Sequence, residues 1–141
     1  MSAVKVAEFA VGGVPVPQGS KTVFMVKGKP VLADANSKAL KPWRTAVAAV
    51  VRSVGFRSIP RERAVAVSAV FTFERPKTVK REFPTVKPDL DKLIRAVMDA
   101  VTDSGLWADD CQVVDMRIRK QYGDLPGVRV RIGRVSEGEP K

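Results

Sequence analysis

The chain has 141 residues, enough for one domain with a hydrophobic core and too few for two elaborate domains. Its 45% hydrophobic and 28% charged residues are typical of a folded globular protein and exclude a disordered or fibrous one. No stretch reaches the roughly 18 apolar residues of a membrane span, and the N-terminus lacks a secretory signal pattern. We therefore expect a cytoplasmic protein with no membrane partner.

The counts of cysteine and histidine exclude several kinds of catalysis. Cys111 is the single cysteine, so the chain forms no internal disulfide and no thiolate zinc site, and we expect this residue to pack as a small hydrophobe. The chain has no histidine, which excludes Ser-His-Asp and Cys-His catalysis and imidazole metal ligands. The remaining groups that could act in acid–base catalysis or bind a metal are carboxylates, lysines and tyrosine. Carboxylate oxygens prefer hard cations, so Mg²⁺ or Mn²⁺ is the expected cofactor.

The net charge of +10 favours a polyanionic partner, nucleic acid before an anionic membrane surface. Its distribution is uneven, because residues 1–88 carry a net charge of +11 and residues 89–141 a net charge of −1. Seven acids lie between Asp89 and Asp115. A protein that only coats DNA gains nothing from them, since carboxylates near the phosphates weaken binding. A solvated helix face with salt bridges explains any single acid, but the clustering indicates a further role.

Three segments of the N-terminal half have the pattern of β-strands. Alternating apolar residues predict a strand over 3–11, and residues 22–34 are typical of a hairpin with its turn at Lys27-Gly28-Lys29. The β-branched and aromatic run 64–73 predicts the strongest strand of the chain, at the centre of its sheet.

An amphipathic helix is predicted between the hairpin and the central strand. Asn36 or Ser37 is positioned to cap it, and it ends at about Val54. Its apolar stripe consists of Trp43, Val47, Val50 and Val51. We expect Trp43, and Trp107 further along the chain, to anchor the core rather than to stack on bases.

Residues 75–88 predict a flexible basic loop, with three prolines and five basic residues. Cations in such a loop suit contacts to a phosphate backbone, and a loop that only aids solubility is the alternative. Phe83, an aromatic residue among these charges, is a candidate wedge for an open DNA junction. The candidate DNA-binding cations are Lys77, Lys80, Arg81 and Lys87, together with Lys21 and Lys92 outside the loop.

The residues after Pro88 show the clearest helical period of the chain, which ends near Gly105. Its apolar stripe consists of Leu90, Leu93, Ile94, Val97, Met98 and Val101. Residues 111–122 predict a strand, and 128–135 predict its hairpin partner after a short turn. Residues 136–141 predict a disordered tail.

Acidic residues at the start of this helix and beyond its end are predicted to converge. Asp89 suits the N-cap, where an extended backbone places it beside Asp91 of the first turn, and the helix dipole stabilises both anions. Asp109 and Asp110 follow in a turn that we expect to pack back near that start. Carboxylates within about 4–6 Å raise their own pKa unless a divalent cation neutralises them, so Mg²⁺ suits this pattern. An i, i+4 salt-bridge ladder on the helix and a plain pair of loop acids are the alternatives.

The run KPDLDKLIRAVMDAVTDSGLWADDCQVVD, residues 87–115, resembles the signature of the RusA family of Holliday junction resolvases. The matching positions are Asp89, Leu90, Asp91, Leu93, Asp99, Ala100, Gly105, Trp107, Asp109, Asp110, Gln112, Val113 and Val114. The loop from Pro15 to Lys21 is similar to that of phage-borne members. The resemblance implies an α+β fold, a small mixed sheet with two main helices, in a single nuclease domain over residues 1–135.

The resemblance further implies a homodimer that uses Mg²⁺, or Mn²⁺ as a substitute, to nick two opposed strands of branched DNA at a four-way junction. Asp89, Asp91 and Asp110 would be the catalytic, metal-binding carboxylates, with Asp109 as a further candidate ligand. Arg95 would join them in catalysis. Arg95 occupies the position at which the family has a lysine. Like that lysine it carries a positive charge that can contact a phosphate, but an arginine does not lose its proton. The setting would be recombination, repair or phage DNA processing in a prokaryotic or phage-infected cell.

Three functions stay open at this point. The first is the junction endonuclease, for which a dimer also follows from the reaction, because one site cannot cut both strands of a symmetric junction together. The second is a junction- or single-strand-binding protein with little or no turnover. The third is a nuclease for RNA or for nucleic acids in general, with the same metal site.

Overall fold

The computed structural model describes residues 3–19, 21–34 and 37–137; the side chains of 21–24, 26, 31–34 and 37 lie outside that description. The strands are β1 (Ala3–Gly12), β2 (Lys21–Val26), β3 (Lys29–Asp34), β4 (Val65–Phe73), β5 (Val113–Tyr122) and β6 (Gly127–Val135). The helices are α1 (Ser37–Ser53) and α2 (Leu90–Ser104), and a 3₁₀ turn (Asp110–Gln112) precedes β5.

Four strands form a mixed sheet in the order β1-β6-β4-β5, and β2 and β3 form a separate antiparallel hairpin. This arrangement confirms the predicted α+β class, the hairpin and the interior position of β4. Neither helix within the described ranges is long and apolar enough to cross a membrane.

The core lies between one face of the sheet and the two helices. Alternate residues of β4 point into it, and α1 and α2 pack on each other and on the sheet. Trp43 and Trp107 are buried in this core, as predicted. The largest fully buried side chains include Phe71, Leu93, Leu106 and Ile132. Removal of these apolar surfaces from water is the main source of stability.

Both helices follow their predicted apolar stripes. In α1, Val47 and Val51 are buried, and Pro42 is the sixth residue of the helix. The cap candidate Asn36 lies outside the described residues. In α2, Gly105 ends the helix in the left-handed region (φ 84°), and its N–H donates to the Thr102 carbonyl at 3.1 Å.

The predicted hairpin of the last two strands is wrong. β5 pairs in parallel with β4, and β6 pairs antiparallel with β4 and with β1, so β4 separates β5 from β6. The connection passes over the end of β4, where the Gly123 N–H donates to the Phe73 carbonyl at 3.0 Å. A Cβ at position 123 would lie 2.6 Å from Thr72 Cγ2, so this passage requires glycine. Four connecting residues easily span the roughly 10 Å between next-nearest strands.

The environment of Cys111 also corrects the sequence analysis. Cys111 belongs to the 3₁₀ turn rather than to β5, and it is exposed. The strand pattern begins two residues later, at Val113, because the turn occupies the residues before it. The predicted tail at 136–141 lies outside the described residues from position 138 onward.

Candidate active site

The first acidic pair lies at the start of α2. Asp89 is the N-cap residue with an extended backbone (φ −71°, ψ 139°), and Asp91 lies in the first helical turn. Both residues are exposed, and the Asp89 side chain makes no capping hydrogen bond within the described part of the chain. The helix start therefore presents two carboxylates to solvent, and the extended N-cap backbone of Asp89 is as predicted; their convergence with Asp109 and Asp110 stays a prediction.

Two contacts hold this helix start in place. Lys120 Nζ on β5 donates to the carbonyl oxygens of Val86 at 2.6 Å and Pro88 at 2.8 Å, directly before Asp89. On the other side, the Gln18 N–H donates to the Lys92 carbonyl at 2.9 Å and ties the loop after β1 to the first turn of α2. The position of the first acidic pair thus depends on elements that are distant in sequence.

The second acidic pair is positioned by the buried side chain of Gln112. Its Oε1 accepts the N–H groups of Ala108 and Asp109 at 2.9 and 3.1 Å. Its Nε2 donates to the carbonyls of Pro60 at 2.9 Å and Arg63 at 3.0 Å. The Gln112 amide thus links the backbone at 108–109 to the backbone at 60–63, and its oxygen and nitrogen each make two hydrogen bonds. These bonds hold Asp109, and with it Asp110, in place.

Gln112 and Asp109 form a capping box around the 3₁₀ turn. The Asp109 carboxylate accepts the Cys111 N–H at 3.1 Å, while the Gln112 side chain returns to the Asp109 backbone. The sequence D-D-C-Q carries this signal, an acid followed three residues later by glutamine. The sequence analysis used Gln112 only as a matching position and missed its supporting role.

The 3₁₀ turn packs against α2, and charges on that helix shift the pKa of Asp110. Burial raises the pKa of Asp110, and the hydrogen bond with Asp109, the charge of Asp109 and the charge of Asp99 raise it further, while Arg95 lowers it. The pKa of Asp109 is lowered by the Cys111 backbone N–H and by the hydrogen bond with Asp110. The two neighbouring carboxyls therefore titrate as a pair, with the pKa of Asp109 lowered and the pKa of Asp110 raised.

Asp99 is an acidic residue of this site that the sequence analysis left among its matching positions. Burial raises its pKa, and the charges of Arg44 and Arg95 oppose that rise. Asp91, Arg95 and Asp99 are spaced i, i+4 and i+8, so they share one side of α2. The α2 charges that shift the pKa of Asp110 are those of Arg95 and Asp99, one and two turns after Asp91.

The donor chemistry of this surface fits a hard divalent cation. It offers carboxylate oxygens, the ligands that Mg²⁺ prefers. A bound cation would favour the ionised form of Asp110, whose pKa is raised first by burial and then by the neighbouring carboxylates. Within the described ranges, no three acidic or cysteine side chains are close enough to hold a metal ion as they stand. Binding would thus require the carboxylates to move closer together.

The basic segment 75–88 contains no helix or strand and contacts the end of β5. Arg81 Nε donates to the Tyr122 hydroxyl at 3.1 Å, and the guanidinium groups of Arg75 and Arg81 lie 5.1 and 5.9 Å from the centre of the Tyr122 ring. Together with Lys120, these contacts attach the segment to β5. The predicted flexibility of the loop stays a prediction.

The predicted DNA-binding side chains of this segment point to solvent. Lys77, Lys80, Arg81 and Lys87 are exposed, and the ring of Phe83 is 47% exposed. Lys92, in the first turn of α2, is half-buried. The side chain of Lys21 lies outside the described residues.

Replacement of Lys120 by methionine is expected to destabilise the protein and to slow any reaction that depends on Asp89. The carbonyls of Val86 and Pro88 would lose a charged donor, which costs about 1–3 kcal/mol. Urea unfolding measures the loss, and Lys38→Met at an exposed position of α1 is the matched control, expected within about 0.5 kcal/mol of the parent. Recovery of stability by Lys120→Arg would support the role, and equal stability of both methionine variants would contradict it.

Comparison with known proteins identifies the family of this chain. The family model of Endodeoxyribonuclease RusA matches residues 13–133. The uncharacterized protein YqaN of Bacillus subtilis (strain 168) is 33% identical over 138 residues, which cover 92% of this chain and 96% of YqaN. The crossover junction endodeoxyribonucleases RusA of Escherichia coli (strain K12) and of Enterobacteria phage 82 are each 56% identical over 32 residues, 23% of this chain and 27% of theirs. This chain therefore belongs to the RusA endodeoxyribonuclease family.

Proposed function

We propose that this protein is a Mg²⁺-dependent, structure-selective endodeoxyribonuclease that resolves four-way DNA junctions by paired nicks. The observation that carries the proposal is the surface where α2 meets the 3₁₀ turn, with Asp91, Arg95 and Asp99 on the helix and Asp109 and Asp110 on the turn. Membership of the RusA family supports the same reaction. The protein would act in the cytoplasm of a prokaryotic or phage-infected cell, in recombination, repair or phage DNA processing.

In this proposal, Asp89, Asp91 and Asp110 hold the metal ion, with Asp109 as the adjacent ligand. When bound there, the ion would supply an activated water and would stabilise negative charge on the scissile phosphate. Mn²⁺ offers the same chemistry and would substitute for Mg²⁺. Gln112 and Lys120 act as positioning residues, because they hold the backbone on which Asp109 and Asp89 lie.

Arg95 contributes a permanent positive charge to the same surface. Its guanidinium lowers the pKa of both Asp99 and Asp110 and so keeps them ionised over a wider pH range. Its planar donors suit the oxygens of a phosphate, and a cation there stabilises charge that develops during hydrolysis. We propose Arg95 as a catalytic residue on these grounds.

Contacts to the DNA backbone would come from the basic segment and its neighbours. Lys77, Lys80, Arg81 and Lys87 supply exposed charge beside α2, Lys21 and Lys92 extend it, and Phe83 would wedge into the open centre of the junction. Two such surfaces in a homodimer would serve the two opposed strands of a symmetric junction.

A cleavage assay on a synthetic four-way junction tests the proposal. We expect paired, symmetric nicks in Mg²⁺ or Mn²⁺, no cleavage in EDTA, and at least about tenfold slower cleavage of a linear duplex of the same sequence. Equal cleavage of the linear duplex or of RNA would indicate a general nuclease. Tight junction binding without nicks in either metal would indicate the alternative, a catalytically weak or inactive junction-binding protein.

A further inference from the structure

A second basic surface lies on the face of the four-stranded sheet opposite the core. The buried residues of β6 alternate with exposed arginines, Arg129 and Arg131, which point away from the helices. β5 carries two further exposed arginines, Arg117 and Arg119. We call these four arginines and the sheet surface between them the outer face.

Strand register arranges the four arginines in two rows. Ser68 of β4 pairs with Arg117 on one side and Arg131 on the other, and Val70 pairs with Arg119 and Arg129. The first row lines a shallow depression of about 300 Å³ and the second one of about 530 Å³. Within a row the arginines are two strands apart, about 10 Å, and along a strand they are about 7 Å apart.

Positive charge on the outer face is not offset by close contacts. In the part of the chain that the structure describes, none of these guanidinium groups has an ion pair or a hydrogen bond. Two acids lie beside the first row: Asp115 lines its depression, and Glu8 of β1 is the cross-strand partner of Arg131. Lys5 lies beside them and pairs with Glu8 at 3.6 Å, so the surface stays positive. Within each row an uncharged β4 residue, Ser68 or Val70, lies between the two arginines, so the strand register spaces the positive charges without pairing them.

We propose that the outer face binds the phosphate backbone of a DNA arm, as a surface additional to the basic segment 75–88. The identity of the ligand rests on the proposed nuclease function. The parallel N–H donors of an arginine guanidinium match two oxygens of one phosphate. Two rows of arginines on a sheet suit the regularly spaced phosphates of a duplex.

The outer face adjoins the candidate active site through β5. α2 contacts β5, and Lys120 of β5 contacts the residue before Asp89. DNA that leaves the acidic surface would therefore pass the edge of the sheet that carries Arg117 and Arg119. A second copy of this chain fits the outer face poorly, because a two-fold contact would bring the same four positive charges against each other.

The test compares two double variants of the full chain with equal loss of charge. Arg117→Gln with Arg131→Gln removes the first row, and Lys38→Gln with Arg57→Gln removes two exposed charges on and just after α1. Junction affinity is measured in EDTA over a series of salt concentrations, and cleavage is measured in Mg²⁺ at saturating junction. Thermal unfolding and sedimentation of each variant record folding and oligomeric state.

We expect the row variant to lower the slope of log affinity against log salt by about 1.8, because each phosphate contact contributes about 0.9. The control pair keeps the parental slope, and cleavage at saturating junction stays within about twofold of the parent for both. Arg117→Lys with Arg131→Lys should retain most of the slope, since the counterion effect depends on charge.

Suppose the parent binds and cuts junctions, and the Arg117→Gln, Arg131→Gln variant is folded but keeps the parental slope of log affinity against log salt. That result would overturn the proposal that the outer face binds DNA and would leave the proposed nuclease function intact. A row variant that alters the oligomeric state without altering the slope would also overturn it, and would assign the face to a contact between copies of the chain. A parent that binds no DNA would overturn both proposals together.

Discussion

Replacement of Asp110 by asparagine is expected to abolish junction cleavage and to preserve or tighten junction binding. The amide keeps the shape of the side chain but removes a negatively charged metal ligand and a negative charge that faces the phosphate. We expect single-turnover cleavage in Mg²⁺ to fall at least about a hundredfold, since even supporting groups around a metal ligand cost 10–100-fold. Asp91→Asn should have the same pair of effects.

The stability of the Asp110 variant separates loss of a ligand from loss of the fold. Burial and the Asp109 and Asp99 charges raise the pKa of Asp110, so the ionised carboxylate destabilises the metal-free fold at pH values above that pKa. Because asparagine carries no charge, the melting temperature of the Asp110→Asn variant in EDTA should equal or exceed that of the parent. Asp124→Asn, an exposed acid between β5 and β6, is the matched control for cleavage. Parental cleavage by Asp110→Asn would show that the site assignment is wrong.

Replacement of Arg95 by glutamine is expected to slow cleavage about a hundredfold, the usual cost of one group that stabilises developing charge. It should also change the pH dependence. Since the guanidinium lowers the pKa of Asp110 and of Asp99, its removal raises both values. As the pH falls, the variant should therefore lose activity at a higher pH than the parent does. Arg95→Lys keeps the charge and should retain the parental pH limit and most of the rate.

A pH–rate profile at saturating junction measures this shift, and Arg44→Gln identifies its source. Arg44 lowers the pKa of Asp99 but is not among the charges that act on Asp110. If the low-pH limit of activity rises in both Arg95→Gln and Arg44→Gln, ionisation of Asp99 sets that limit. If it rises in Arg95→Gln alone, ionisation of Asp110 sets it. If Arg95→Gln weakens affinity but leaves the rate and the pH limit at saturation unchanged, Arg95 only binds DNA.

The acids at the start of α2 illustrate what local pattern predicts well. The apolar period of residues 90–101 sets the side of the helix that is buried, and the same spacing places Asp91, Arg95 and Asp99 on the exposed side. Proline at position 88 and aspartate at 89 mark the helix start, and Asp89 has the extended backbone expected of an N-cap. Interactions between residues a few positions apart decide these features.

Residues that meet across large sequence distances were less accessible to prediction. Gln112 satisfies carbonyls of Pro60 and Arg63, and Lys120 satisfies those of Val86 and Pro88. A glutamine or lysine on a short segment has many possible acceptors, and only the packed chain selects among them. For the same reason Asp99 was only a matching position in the sequence, although its charge is among those that raise the pKa of Asp110 on the 3₁₀ turn.

Residue order alone determined the two amphipathic helices, the exposed acidic side of α2 and the absence of histidine chemistry, because periodicity and composition act within single segments. The α+β class followed from the resemblance of the sequence to its family. The tertiary structure decided that β4 lies between β5 and β6, that the 3₁₀ turn faces Arg95 and Asp99, and that four arginines share the outer face. Each of these depends on which strands and turns become neighbours. That choice is made by burial of the whole core, to which β4 contributes alternate buried side chains from the interior of the sheet.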